Sequence, residues 1–168
     1  AIARLAEQGL PTARYEAWSH TNPATLTRGF YGPAAAAGAA TAEQVQRYVA
    51  DGVDGSLLVF VDGHYAPTLS RQQGLPAGVR VATLDELSAA DGAGVGQPLG
   101  AHTLTIDGSF AALNTAFVRD GAFVHVPDDT VLDAPVQILH LSSGQAPGLT
   151  TPRTLVVAGA RSQLCVFE

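Results

Sequence analysis

The stretch Phe110–Pro127, FAALNTAFVRDGAFVHVP, decides how the rest of the sequence is read. N-terminal to it, short helical patterns alternate with short apolar runs. C-terminal to it, β-type segments follow one another between Pro, Gly and Asp. Within the stretch, Phe110 and Leu113 predict one or two helical turns before Asn114. Phe117–Arg119, the turn Asp120-Gly121 and Ala122–Val126 then predict strand, turn and strand. Further short strands are predicted at Val131-Leu132, Val136–Leu141, Thr154–Ala158 and Ser162–Phe167. Asp-Asp, Ala-Pro, Ser-Ser-Gly and Ala-Gly-Ala breaks separate them. Short strands recurring without helices between them indicate a sandwich, a barrel or a β-helix. The turn pattern favours the start of a β-helix, although no strict repeat period is visible.

Upstream, Ile2, Leu5 and Ala6 have helical spacing, and Gly9 followed by Pro11 predicts the helix end. Leu10–Leu26 has no clean period, and Pro11 and Pro23 break it into loop or very short helix. Trp18, the single tryptophan, is expected to anchor this irregular segment by packing. Gly29–Ala40, with Gly32-Pro33 and a run of alanines, reads as linker or frayed helix. Thr41 and Gln44 form a capping box for a helix with Val45, Tyr48 and Val49 on one apolar face, ended by Gly52. Ser56–Val61, SLLVFV, reads as a buried strand. Asp62-Gly63 predicts a hairpin turn, with His64–Leu69 as the returning strand. Val79–Ala82 is a further strand. Thr83 and Glu86 cap a helix that runs to Ala89 or Ala90. Asp91–Gly100 is the clearest linker, and Thr103–Ile106 a possible strand after it.

The chain has 168 residues, 46% of them hydrophobic and 14% charged, which fits one domain, or a small domain with part of another, and supplies ample core. A net charge of −6 argues against a nucleic-acid surface, which needs a basic stripe. One cysteine excludes an intramolecular disulfide and a cysteine-built metal cluster within one copy. No apolar run reaches the roughly 18 residues of a membrane span, and no signal-peptide pattern opens the chain. The absence of methionine and the stop inside the apolar run Leu164–Glu168 lead to the expectation of a fragment of a longer protein.

The residues offer little chemistry. Cys165 lies in Gln163–Phe167 with no local cation or base to activate it, and is expected to be a small core residue of a strand. His20, His64, His102, His125 and His140 show no metal-ligand spacing. His125 and His140, both in predicted strands, are the pair that stacking of successive coils would bring to one face. Asp128-Asp129 reads as a turn with exposed carboxylates, since adjacent residues of an extended chain point apart. The glycines of residues 92–96 are followed by no Lys-Ser/Thr and do not form a phosphate loop, and no GxSxG elbow is present. No catalytic, cofactor-binding or metal-binding residue is assigned.

Three stretches together resemble the SufB/SufD family of iron–sulfur cluster assembly proteins, and its SufD branch more than SufB. The first is Gly9–Leu26, with Leu10-Pro11-Thr12, Glu16-Ala17-Trp18 and His20-Thr21. The second is Phe60–Leu87, with Phe60-Val61-Asp62-Gly63, Tyr65, Leu69-Ser70, Leu75-Pro76-Ala77-Gly78-Val79 and Leu84. The third is Ala112-Leu113-Asn114, Ala116-Phe117, Asp120-Gly121-Ala122-Phe123 and Val126-Pro127, continued by Leu132, Ala134-Pro135-Val136 and Pro152-Arg153. Ser19-His20 and Ala34–Ala40 depart from the family pattern. The resemblance implies an α+β N-terminal region over residues 1–100. The first coils of a right-handed parallel β-helix would occupy 101–168, truncated before a helical domain.

It also implies a non-catalytic, cytoplasmic scaffold component of the SufBCD complex, paired with SufB through the β-helices and with the ATPase SufC through the later domain. The cluster is handled by the whole complex. The family's cysteine and histidine for that chemistry lie beyond Glu168, so no site and no cofactor is carried over to this chain. The alternatives are a β-helix carbohydrate-active enzyme, which needs facing carboxylates or a basic residue in a groove and secretion, and a SufB-type scaffold. An unfinished β-helix would also leave an exposed edge at Ser162–Phe167, open to self-association or to further chain.

Overall fold

A computed structural model describes residues 2–29, 31–34, 38–52, 54–72, 74–91, 108–144 and 148–168. The organising strand is β2 (Ser56–Val61), in which every residue is buried. An unbroken aliphatic run suits a strand covered on both faces. Alternation sends Leu58 and Phe60 into one apolar cluster with Val81, Val124, Val136 and Ile138. Leu57, Val59 and Val61 face a second cluster, where Val45 covers them.

Strand β2 pairs along its whole length with β6 (Val136–Leu141), in parallel, with Ser56 opposite Val136. On its other side it meets β3 (His64–Tyr65), antiparallel, and β9 (Val166–Phe167) extends β6, giving the order β3-β2-β6-β9. The hairpin predicted at Asp62-Gly63 is therefore a minor feature, and its return stops at Tyr65. Pro67, which has no N–H to give a ladder, opens a 3-10 turn over Pro67–Leu69 instead. The Ser70 hydroxyl then donates to Ala66 O and accepts from Val59 N.

A second sheet has β4 (Arg80–Thr83) antiparallel to β5 (Gly121–Val126), which pairs in parallel with β8 (Arg153–Ala158). A third consists of β1 (Gly32–Pro33) beside β7 (Gly148–Leu149), also parallel. Gly32-Pro33, expected in a linker or frayed helix, is thus held in register, and Ala34 N continues the contact to Leu149 O. In the second sheet each residue of β5 faces the one 32 positions on, Gly121 opposite Arg153. Val131 bridges Gln163 at the same displacement, and Val136 then faces Val166 two residues closer. Glycine is required at the start of β5, because a Cβ on Gly121 would lie 1.8 Å from Arg153 O. Gly55 meets Pro135 O in the same way ahead of β2.

The helices sit outside the sheets. Helix α1 (Ile2–Gln8) packs on α5 (Ser109–Phe117). Trp18 lies in a 3-10 turn over Glu16–Trp18, its ring centroid 5.1 Å from that of Phe110, and so anchors the irregular segment as expected. Helix α2 (Ala24–Thr27) is the very short helix expected after Pro23. Helix α3 (Ala42–Gln46) has the reciprocal Thr41–Gln44 capping box. Val45 is buried, but Tyr48, predicted on the same face, is 63% exposed. The helix ends before Tyr48, and the phase that would have turned its ring inward ends with it. Helix α4 (Leu84–Asp91) is capped by Thr83 and Glu86 and buries Leu84 and Leu87.

Helix α5 corrects the reading of the decisive stretch. It runs through Asn114 to Phe117, where a strand was expected to begin, and the strand starts at Gly121. Asp120-Gly121 consequently leads from the helix into β5 rather than joining two strands. Asn114 and Thr115 favour other conformations when their side chains bond locally. Here both side chains bond Arg153, and tertiary partners override that preference. The linker expected at 91–100 and the strand at 103–106 fall almost wholly in 92–107, outside the described residues.

Candidate functional site

The residues singled out for chemistry are not brought together. His20 is exposed. His64 Nε2 lies 3.0 Å from Ala34 O. His125 stacks on Phe123 in the second sheet, whereas His140 stacks on Phe60 in the first, with Nε2 3.1 Å from Glu168 Oε1. The two histidines therefore do not share a face, and His102 lies outside the described residues. Cys165 is exposed rather than part of the core, because Leu164 and Val166 take the inward positions of the alternation. Among the described residues no group of three His, Cys, Asp or Glu side chains is placed to hold a metal ion.

Asp128 and Asp129 form the expected exposed turn, and each binds the turn above it. Asp128 Oδ1 accepts from Ala160 N at 2.8 Å. Asp129 receives the Arg161 guanidinium on both carboxylate oxygens, at 2.5 and 2.7 Å. That contact holds the Asp129 carboxyl below its ordinary range. Asp129 and Arg161 both have left-handed backbones, with φ of 55° and 59°.

Two fastenings were not visible in sequence. The first joins α5 to β8. Asn114 Nδ2 donates to Pro152 O at 2.9 Å, and Asn114 Oδ1 accepts from Arg153 Nε at 3.0 Å and from Nη2. Arg153 Nη2 also donates to Thr115 Oγ1, and Thr151 Oγ1 donates to Phe117 O. The second surrounds Asp62, whose left-handed backbone (φ 51°) closes the end of β2. Its carboxylate accepts from Ser143 Oγ at 2.6 Å, Ser143 N at 2.9 Å and Gly38 N at 3.0 Å. The Ser143 hydroxyl is the main cause of a pKa below the usual carboxylate value.

Asp62 and His64 share a depression with Arg119, Asp120, Thr150 and Thr151. Asp120 is biased the other way, since burial raises its pKa. Its Oδ1 nevertheless accepts from Gly121 N at 2.8 Å and Asp85 N at 3.1 Å. Paired carboxylates of opposite bias can divide acid and base roles. In this depression the Asp62 oxygens and His64 Nε2 are already engaged, and the free space is ≈ 20 Å³, room for about one water. The arrangement fastens loops together and is too small to hold an organic substrate. A larger groove of ≈ 190 Å³ lies between Gln44, Arg47 and Tyr48 on one side and Leu141–Ser143 on the other.

The remaining feature is the pair of edges. Strands β8 and β9 are last in their sheets, and Val156 and Phe167 there are 42% and 45% exposed. An edge of this kind presents backbone groups and apolar side chains to another strand.

A family model described as the SufBD protein N-terminal region matches residues 1–138. An iron-sulfur cluster assembly SufBD family protein of Synechocystis sp. is 34% identical over 116 residues, which cover 67% of this chain and 25% of that protein. The matched region spans about a quarter of the relative's length.

Proposed function

The chain belongs to the SufBD family, and from that membership we propose that it serves iron–sulfur cluster assembly as the N-terminal part of a SufD-type scaffold. The observation that carries the reading is the family match over residues 1–138, joined to the relative's description as an iron-sulfur cluster assembly protein. The parallel ladders are read as the opening coils of a right-handed parallel β-helix. Supporting this are the repeated displacement of 32 residues at β5/β8 and at Val131/Gln163, and the strong preference of parallel crossovers for the right hand.

In this reading the chain contributes shape and docking surface, and the chemistry on the cluster is performed elsewhere in the complex. The partners are SufB, reached through stacked strands, and the ATPase SufC, and the cluster is cargo. The setting is the cytoplasm. No helix among the described residues is long and apolar enough to cross a membrane.

The test is affinity purification of the tagged protein from its own cells, followed by mass spectrometry. Homologues of SufB and SufC are expected in stoichiometric amounts. Deleting the gene is expected to lower iron–sulfur enzyme activity. Purification without either partner, from cells that express both, overturns the assignment.

A further inference from the structure

Helices α1 and α5 pack on each other, and among the described residues neither contributes a side chain to the two apolar clusters that hold the sheets. Within α5 only Ala112 is buried, and Phe117 is 38% exposed. Hydrogen bonds fasten α5 to the start of β8 and the residues before it. They run from Asn114, Thr115 and Phe117 to Thr151, Pro152 and Arg153. Arg153 makes these bonds to neutral acceptors, and among the described residues it forms no ion pair with a carboxylate. The connection from α5 into β5, Val118–Asp120, has no regular structure.

Apolar burial is spread over area and weakens gradually, whereas a few directional bonds between two short segments, centred on Asn114 and Arg153, are made or lost together. We propose that α1 and α5 form a latch, a helical unit that swings from the sheets as one body about Val118–Asp120 when the Asn114–Arg153 contact breaks. The parallel ladders survive this opening, because β5 stays paired with β8 by backbone bonds that the latch does not use. Opening uncovers the Arg153 guanidinium and the Pro152 carbonyl at the end of the second sheet, and the Phe117 carbonyl at the end of α5. The inference rests on packing alone and is independent of the proposed role in cluster assembly.

Native-state hydrogen exchange of the whole chain at rising urea tests it. In the unaltered protein, amides of Ile2–Gln8 and Ser109–Phe117 are expected to exchange through a shared opening. That opening should be at least about tenfold more populated than the one exposing Ser56–Val61 and Val136–Leu141. Arg153→Ala and Asn114→Ala should each speed exchange in both helices by a further tenfold or so, with those strands unchanged. Several outcomes overturn the latch: one common opening for helices and strands, a variant that melts both together, helices indifferent to either substitution, or a response in α5 without α1.

Discussion

Gln137 offers the sharpest test of how the outer layer is held. It is a polar residue, 6% exposed, on the face of β6 that looks toward α3. Its amide is used at both ends. Nε2 donates to Tyr48 O at 2.9 Å, and Oε1 accepts from Ala50 N at 3.3 Å. Gln137→Leu keeps most of the volume and removes both bonds. At about 1 kcal/mol per bond, with a further contribution from the stranded half-buried Ala50 N–H, the expected loss is about 2–3 kcal/mol. For a chain of this size that lowers the melting temperature by roughly 5–10 °C.

Gln137→Glu separates hydrogen bonding from packing. At pH 7 its carboxylate accepts from Ala50 N but opposes Tyr48 O, and its charge is buried. The folded state therefore raises the pKa of the introduced carboxyl. A raised carboxyl pKa stabilises at pH values below the unfolded pKa and loses that contribution as pH rises through the folded pKa. The variant should thus approach the parent near pH 4, where the protonated carboxyl again donates, and fall well below it at pH 7. Urea denaturation at the two pH values, each referenced to the parent, reads this directly. A Gln137→Leu variant within about 0.5 kcal/mol of the parent, or a Gln137→Glu deficit equal at both pH values, refutes the reasoning.

Other substitutions test other contacts. The lowered pKa of Asp62 adds stability above the ordinary carboxylate range, lost as pH falls through the folded value. Asp62→Asn, which tolerates the left-handed backbone, should then destabilise at neutral pH, and the difference in chemical denaturation should close in acid. Asp120 has the opposite sign. Its raised pKa favours the fold below the unfolded value, and that contribution fades as pH rises. Asp120→Asn keeps an acceptor for Gly121 N and Asp85 N, so it should raise the melting temperature at neutral pH and leave it unchanged below pH 3.5 or so. Gly121→Ala drives a Cβ into the Arg153 carbonyl, a backbone atom with no rotamer to yield, and should cost about 3 kcal/mol or more in a urea titration. The exposed Cys165 thiol should react with a chromogenic disulfide in the folded chain about as fast as in urea, and strong protection would place it in the core after all.

Local signals in the sequence were read correctly where the physics is local. SLLVFV specifies a strand buried on both faces, and Thr41–Gln44 and Thr83–Glu86 specify helix starts, because each depends on residues within a few positions. What failed depends on distant partners. Nothing near Ser56 indicates that its neighbour is Val136, so the hairpin with His64 is legible in the sequence and the longer parallel pairing with β6 is not. Asn114 looked like a helix breaker because Arg153, which engages it, lies far along the chain. Alternation placed Cys165 and Phe167 on one face but could not say which face was inward. Pro152-Arg153 stands out only through family resemblance, which marks positions without giving their contacts.

The missing repeat period has a physical explanation in the turns that follow β5 and β8. Pro127-Asp128-Asp129-Thr130 and Gly159-Ala160-Arg161-Ser162 occupy equivalent places, 32 residues apart, and share a left-handed third residue. Backbone bonds join them, Asp129 N to Ala160 O and Gln163 N to Thr130 O. Their side chains are nevertheless unlike, since an aspartate stands where the next turn has an arginine. Stacking selects for complementarity between neighbouring turns. Two aspartates in contact would repel, whereas aspartate over arginine gives a bidentate pair, and Asp128 is matched by a bare N–H at Ala160. A search for similar residues at a fixed interval is blind to a repeat built from opposites. A search for opposite charges at a fixed interval, each beside a turn that favours a left-handed residue, would have found the displacement and with it the parallel stacking.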